Sequence, residues 1–364
     1  MTTAILFLFI LALLVFVHEL GHFLVAKASK IRVDEFGIGF PPKIFGKKYG
    51  ETLYSFNWIP FGGFVKIFGE NPDEESISGP DSARSFVNKN RGIQAGVLVA
   101  GVTFNVLFAW LLLSLGFMIG LPVSSSDYKA SEVTNPQTTI TMVISGSPAE
   151  KANLKTGDVI TAMSAQGKKL AVISPKSIVN FIGANQDSKL TVSYTRGETT
   201  GSAEVVPESG ISPDHKSIGV ALDEVGILKL GLFGALGKGF AVTIQISKDI
   251  AVGFFNLISE MFQGKAKLDN LSGPIGIAKM VGDARTLGFN YLLTFTAFIS
   301  INLAVLNLMP FPALDGGRLL FVAIEATVRR RISPKILNSV NAIGFALLIF
   351  LMVVVTYRDV IKLF

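Results

Sequence analysis

Thr2-Thr3-Ala4-Ile5-Leu6-Phe7-Leu8-Phe9-Ile10-Leu11-Ala12-Leu13-Leu14-Val15-Phe16-Val17-His18-Glu19-Leu20-Gly21-His22 is the stretch that decides the fold. Residues 2–17 carry no charge, and the apolar run resumes after His22 as far as Ala26. A membrane-spanning helix needs about twenty such residues. This one holds two imidazoles and a carboxylate near its far end, and ionisable groups at membrane depth are costly and usually functional. Positions i and i+4 of a helix share a face, so His18 and His22 can bind one zinc, with Glu19 beside them as general base. The plain alternative is a pair of helix-end histidines bonded to loop carbonyls. No Lys or Arg precedes the run, and His-Glu stands where a signal peptide would be cut, so the segment is expected to remain as a helix.

The composition agrees with a membrane setting. Of 364 residues, 49% are hydrophobic and 16% charged, against roughly 25% charged in soluble domains; the mean hydropathy is +0.51. Cysteine is absent, which excludes disulfides, Cys-ligated zinc, iron–sulfur clusters and thiol nucleophiles. The net charge of +6 is read as an orientation signal. No basic stripe with interleaved aromatics is present, so no nucleic-acid partner is expected.

Three more charge-free runs occupy 92–126, 286–314 and 336–357. The expected fold is a polytopic α-helical membrane protein with four transmembrane helices, at 1–26, 92–123, 286–317 and 336–364. Lys27, Lys30, Arg32, Lys89 and Arg91 lie between the first two. Arg318, Arg329, Arg330, Arg331 and Lys335 lie between the last two, in a basic loop at 318–335. Such loops face the cytoplasm. Both termini and 124–285 are then external, with Arg358 and Lys362 as a mild counter-signal. Residues 226–264 are apolar but interrupted by Lys229, Lys238, Lys248, Asp249 and Glu260. The region 211–285 is therefore read as a linker with amphipathic helices on the membrane surface. A fifth span there would make the count odd.

The external segment also holds alternating, strand-like runs at 140–144, 159–163, 190–194 and 203–206, and helical periods at 147–154 and 175–182. Ser147-Pro148-Ala149 followed by Leu154-Lys155-Thr156-Gly157-Asp158 resembles a PDZ domain, with Asn153 where Gly is usual. Asn tolerates the left-handed backbone better than most residues. One extracytoplasmic PDZ (mixed α/β) domain is expected at 124–210. The resemblance implies a groove that takes an extended peptide by strand addition; a spacer with a blocked groove is the other reading.

Catalytic zinc requires a third protein ligand and an open position. The remaining histidine, His215, lies in the external segment, so a carboxylate is expected. Asp315 ends the third apolar run, in Asn307-Leu308-Met309-Pro310-Phe311-Pro312-Ala313-Leu314-Asp315-Gly316-Gly317. The two prolines break a helix at membrane depth, which is tolerated only inside protein or beside a water-filled cavity. The first and third spans both run inwards, which puts His18, His22 and Asp315 at one cytoplasmic-side depth. A helix-capping role is the alternative for Asp315.

These motifs together resemble the site-2 proteases, intramembrane zinc metalloproteases, and among them the bacterial regulators of sigma-E. Gly37-Ile38-Gly39-Phe40-Pro41-Pro42-Lys43 and Pro60-Phe61-Gly62-Gly63-Phe64-Val65-Lys66 look like that family's re-entrant β-hairpin, in a cytoplasmic-side loop at 27–91. Ala100-Gly101-Val102-Thr103-Phe104-Asn105 looks like its second-span motif, with Val102 where Pro is usual. Leu271-Ser272-Gly273-Pro274-Ile275-Gly276 looks like its lead-in to the third span. The chain departs in having one PDZ module rather than two, and Arg318 where a smaller uncharged residue or His is common.

The resemblance implies one Zn2+ per chain on His18, His22 and Asp315, with Glu19 passing the proton. It implies that Asn307 contacts the substrate backbone or oxyanion, and leaves Asn105 between substrate contact and packing. The edge at Gly62, Gly63 and Phe64 would capture an unwound substrate. Tyr54, Phe56 and Trp58 alternate with Ser55 and Asn57 as a strand does; an interfacial aromatic anchor is the other reading of these rings. The implied setting is the bacterial cytoplasmic (inner) membrane, with the lipid bilayer as partner. The implied substrates are pre-trimmed single-span proteins, such as anti-sigma factors or signal-peptide remnants, with the PDZ domain as size filter. A non-catalytic PDZ-bearing scaffold is the rival reading, disfavoured by the intact ligand set. A transporter is disfavoured because the intramembrane ionisable groups cluster at one end.

Overall fold

The computed structural model describes residues 2–211, 216–264 and 273–361. His215, Leu271, Ser272 and Lys362 lie outside the described residues. The chain divides into two compact units: Met1–Leu113 with Leu236–Gly282 and Thr294–Phe364, and Ser114–Ala235 with Asp283–Leu293.

The first unit opens with helix α1 (Thr2–Ala28), rich in Leu, Ala and Phe. Its buried positions include Ile10, Leu14, His18, Gly21 and His22. Those spacings trace one helical stripe, so the paired histidines lie on the packed face. Strands β1 (Val33–Tyr49) and β2 (Thr52–Ile67) follow and pair antiparallel with several register shifts. Residues 35–38 are paired on both sides: with 53–56 in the same residue order, and with 63–66 in the opposite order. Each long strand therefore doubles back, and 63–67 forms an edge. The expected hairpin is present in this more folded form. Helix α2 (Glu74–Ser78) is capped by Asp73 and leads to α3 (Arg91–Ile119). A Cβ on Gly21 would press on the Ala100 backbone, so glycine lets α1 and α3 touch.

The second span was expected to reach residue 123. Instead α3 stops at Ile119, Gly120 takes φ +118°, and Leu121–Ser124 is strand β3. The second unit continues with β4 (Val133–Val143), α4 (Pro148–Lys151), β5 (Val159–Ala165), β6 (Lys168–Lys169), α5 (Pro175–Ala184), β7 (Leu190–Arg196), β8 (Thr199–Val205) and β9 (Val220–Leu228). The sheet order is β3-β9-β4-β5-β7-β8, with β6 paired to β5. Ile140, Leu154, Met163, Ile178, Leu190 and Val192 fill its core. Asn153 sits at φ 59°, the left-handed position that asparagine tolerates. The boundary at 210 is too early: β9, read from the sequence as part of an external linker, lies between β3 and β4. Its apolar residues pack in the sheet and do not begin an interfacial helix.

Helix α6 (Leu232–Phe262) runs unbroken through its four charged positions. Then come α7 (Pro274–Leu287), α8 (Phe289–Leu308), α9 (Asp315–Val328) and α10 (Pro334–Ile361). Among the described residues five helices are long and apolar enough to cross a membrane, namely α1, α3, α6, α8 and α10. That is one more than the four read from charge-free runs, because α6 meets the length and composition criteria despite its charges. The third span also ends earlier than expected, with α8 at Leu308. Arg318, expected in a loop at 318–335, belongs to α9.

Candidate active site

Three polar side chains from α1 and α9 converge in the first unit. Asp315 Oδ2 is 3.0 Å from His18 Nε2 and 3.2 Å from His22 Nε2, and the two nitrogens are 3.1 Å apart. The edge of a tetrahedron with bonds of about 2.0 Å is roughly 3.3 Å, so these atoms are spaced as ligands of one zinc. Both histidines are buried, and Asp315 is half-buried.

Asp315 arrives there through a helix break. Asn307 would lie two helical turns before Asp315 only if the helix continued, and it ends at Leu308. Pro310 and Pro312 offer no N–H to extend α8, and Ala313 takes φ 71°. Asn341 on α10 accepts the Ala313 N–H at 3.3 Å. The chain then restarts as α9, with Asp315 in its first turn. A Cβ on Gly316 would run into the carbonyls of Leu308 and Met309, and one on Gly317 into that of Phe311. The two glycines let the new helix fold tightly against the end of the old one. Asn307 Nδ2 still reaches to 3.5 Å from His18 Nε2, but through this reversal.

Helix α3 backs the two imidazoles. His22 Nδ1–H donates to the Val97 carbonyl at 2.8 Å, which leaves Nε2 with its lone pair facing Asp315, as a metal ligand requires. Gly101, one turn on, faces the same rings. A Cβ there would overlap His22 Nε2 and lie 2.8 Å from His18 Cε1. Asn105, another turn on, is fully buried, with its amide 3.3 Å from His18 Nδ1. It is packed behind His18.

Glu19 is half-buried and accepts the Val65 N–H at 3.1 Å. Successive amides of a strand point to opposite sides, so the outward edge of 63–67 faces the carboxylate. Gly62 is buried beside Val15 of α1, Gly63 is tight against the Gly37 carbonyl, and Phe64 stacks on Phe40 with ring centroids 6.1 Å apart. These three residues build the edge, and the group closest to Glu19 is the neighbouring Val65 amide. Sequence reasoning also missed the Val97 carbonyl and Gly101. The four-residue spacing of 97, 101 and 105 on an apolar helix was the available signal.

The donor set, its spacing, the bare Nε2 of His22 and the room left by Gly101 fit a catalytic zinc. The chain belongs to peptidase family M50, the site-2 proteases: the family model for Peptidase family M50 matches residues 6–351. A Clostridium perfringens protein provisionally described as a zinc metalloprotease is 34% identical over 355 residues, covering 96% of this chain and 95% of that one. The regulator of sigma-W protease RasP of Bacillus subtilis is 31% identical over 438 residues, covering 100% and 99%. The zinc metalloprotease RasP of Shouchella clausii is 30% identical over 441 residues, covering 100% of each. The chain is thus a zinc metalloprotease with several apolar, membrane-type helices. The Bacillus relative is named for sigma-W, where the motifs suggested the sigma-E regulators.

Proposed function

We propose that this chain hydrolyses peptide bonds within the transmembrane segments of single-span proteins, with His18, His22 and Asp315 holding the zinc and Glu19 as the proton-transfer group. The observation that carries this reading is the meeting of His18 and His22 with an aspartate 297 residues away, beside a strand edge that faces Glu19. Zinc, when bound, polarises a peptide carbonyl and lowers the pKa of a coordinated water to about 7. Glu19 takes a proton as the water oxygen attacks the carbonyl carbon, and returns it to the amide nitrogen as the C–N bond breaks. Asn307, half-buried and next to His18, donates to the developing oxyanion. The edge at 62–65 takes the unwound substrate as an added strand. An apolar groove of about 600 Å³, lined in part by Phe9, Phe16, Asn57 and Gly62, supplies hydrophobic surface beside that edge.

Contacts of the basic segments support an orientation. The Arg318–Glu70 ion pair, Arg91 on Glu325 at 2.7 Å and Arg331 on Asn88 at 3.0 Å join the two basic segments at one face, the cytoplasmic one by the charge rule. Helix α3 leaves that face and α8 returns to it, so the chain between them crosses an even number of times. Helix α7, of 14 residues, is too short to cross. Helix α6 therefore lies along the outer surface, which gives four spans with external termini, in a bacterial inner membrane. The second unit, whose sequence resembles a PDZ domain, acts as a size filter that admits pre-trimmed substrates such as anti-sigma factors or signal-peptide remnants.

The test uses a single-span model substrate in two forms, trimmed and with a folded ectodomain, against the wild type and a chain lacking 121–228. The wild type should cut only the trimmed form, and the deletion both. A wild type that cuts neither contradicts intramembrane proteolysis. A deletion that still refuses the ectodomain contradicts the filter.

A further inference from the structure

Each imidazole of a zinc pair has a second nitrogen, and the partner of that nitrogen selects which tautomer is present. For His22 the partner is the Val97 carbonyl at 2.8 Å, an acceptor that holds the proton on Nδ1. For His18 the group in the same position is the side-chain amide of Asn105, 3.3 Å from Nδ1. We propose that Asn105 is a positioning residue for zinc, its Oδ1 accepting the His18 Nδ1–H so that Nε2 presents its lone pair to the metal.

The surroundings support this role. Asn105 is wholly buried on a charge-free stretch of α3, and a buried amide is costly unless bonded. Its Oδ1 has no hydrogen-bond partner, while its Nδ2 is the atom facing His18 Nδ1. A nitrogen-first amide requires a lone pair on Nδ1 and a proton on Nε2, the atom 3.0 Å from Asp315 Oδ2. A ligating Nε2 cannot carry that proton. A half-turn of the amide about its Cβ–Cγ bond places Oδ1 on Nδ1 and gives the orphaned oxygen a donor. Either orientation leaves one amide atom unpaired, so the position of the His18 proton decides between them. With Nε2 on a cation the Nδ1–H is the stronger donor, and the oxygen-first bond is the charge-assisted one. The site is also held in place: Ser300 Oγ on α8 donates to the Asn105 main-chain carbonyl at 2.9 Å. Val97, Gly101 and Asn105 thus form one face, an acceptor for each histidine with a gap between.

This inference rests on His18 and His22 being zinc ligands, and the experiment separates the two. Zinc affinity of the full-length protein in detergent is measured by competition with a chromogenic chelator, and the Co2+-loaded protein by its d–d absorption. N105L, nearly isosteric and without an acceptor, should weaken zinc about 10- to 100-fold and shift the cobalt bands. N105D, which restores an acceptor, should bind zinc within about threefold of wild type. N105L with unchanged affinity and bands overturns the proposal, as does a folded N105D as weak as N105L. If N105L does not fold, as judged by melting, N105A is read by the same criteria. Loss of zinc in H18A alongside an unchanged N105L defeats only the role of Asn105. Retention of zinc in H18A defeats the ligand assignment as well.

Discussion

Gly101 illustrates how much of the centre is decided by single atoms. Its missing Cβ is the space the two imidazoles occupy, and neighbouring helix positions cannot substitute for it. Gly101→Ala should lower zinc content to well under one per chain while helix content by circular dichroism stays normal. Full zinc loading in that variant would show that the rings can move away from α3. At this scale the sequence was informative where side chains carry the chemistry. His18, Glu19 and His22 declare themselves by helical spacing, and Asp315 by topology and the need for a third ligand. The Val97 carbonyl and the Val65 amide were not legible, because every residue has a carbonyl and nearly every residue an N–H. Only the fold selects which of them face the site. Asn105 was legible as unusual, but its partner was not.

The elements matter most where they end. Prolines at 310 and 312 signalled a break, but not that α9 would begin at Asp315 itself. That start depends on Gly316 and Gly317, whose small size lets α9 pack on the carbonyls that close α8. Arg318, one turn beyond Asp315, pairs with Glu70 in the segment after β2, which ties the helix that carries Asp315 to the hairpin. At the other end of the chain, buried Asp359 on α10 accepts the Gly276 N–H in the first turn of α7 at 2.8 Å. This satisfies one of the amides that a helix start leaves free. Alternation in 54–58 announced strand, but not the doubling back that makes 63–67 an edge, since that requires pairing 35–38 on both sides. If that edge takes substrate as a strand, Val65→Pro removes an outward N–H while leaving the inward pairing. Cleavage of a helical substrate should fall at least about tenfold with zinc content unchanged, a rise of about 1.4 kcal/mol in the barrier. Undiminished cleavage would show that substrate is held elsewhere.

For the whole molecule the path of the chain between α3 and α8 sets the number of spans. Charge-free runs identified α1, α3, α8 and α10, and missed the continuity of α6 because its four charges are spread along 31 residues. Length and composition alone would make α6 a span. On the orientation proposed above, α6 is instead a surface helix. The chain has no cysteine, so single reporters are unambiguous. Ser125→Cys lies just beyond α3 and β3 and Gly264→Cys just beyond α6, and a membrane-impermeant maleimide applied from outside should label both. Labelling of Ser125→Cys alone would mean that α6 crosses and that the orientation is wrong. The second unit shows the same limit of sequence reading: β4, β5, β7 and β8 followed from alternation, and the two-residue β6 did not. β3 was hidden in the apolar run of α3, and β9 followed a gap in the pattern and read as linker.

The central claim is that His18, His22 and Asp315 bind the zinc at which Glu19 moves the proton. It is tested most directly by measuring zinc per chain and cleavage of a trimmed single-span substrate for the wild type and Glu19→Gln, with Asp315→Ala as the ligand control. The account predicts about one zinc per chain in the first two, cleavage only in the wild type, and neither property in Asp315→Ala. Cleavage by Glu19→Gln at the wild-type rate, or full zinc retention in Asp315→Ala, would contradict it.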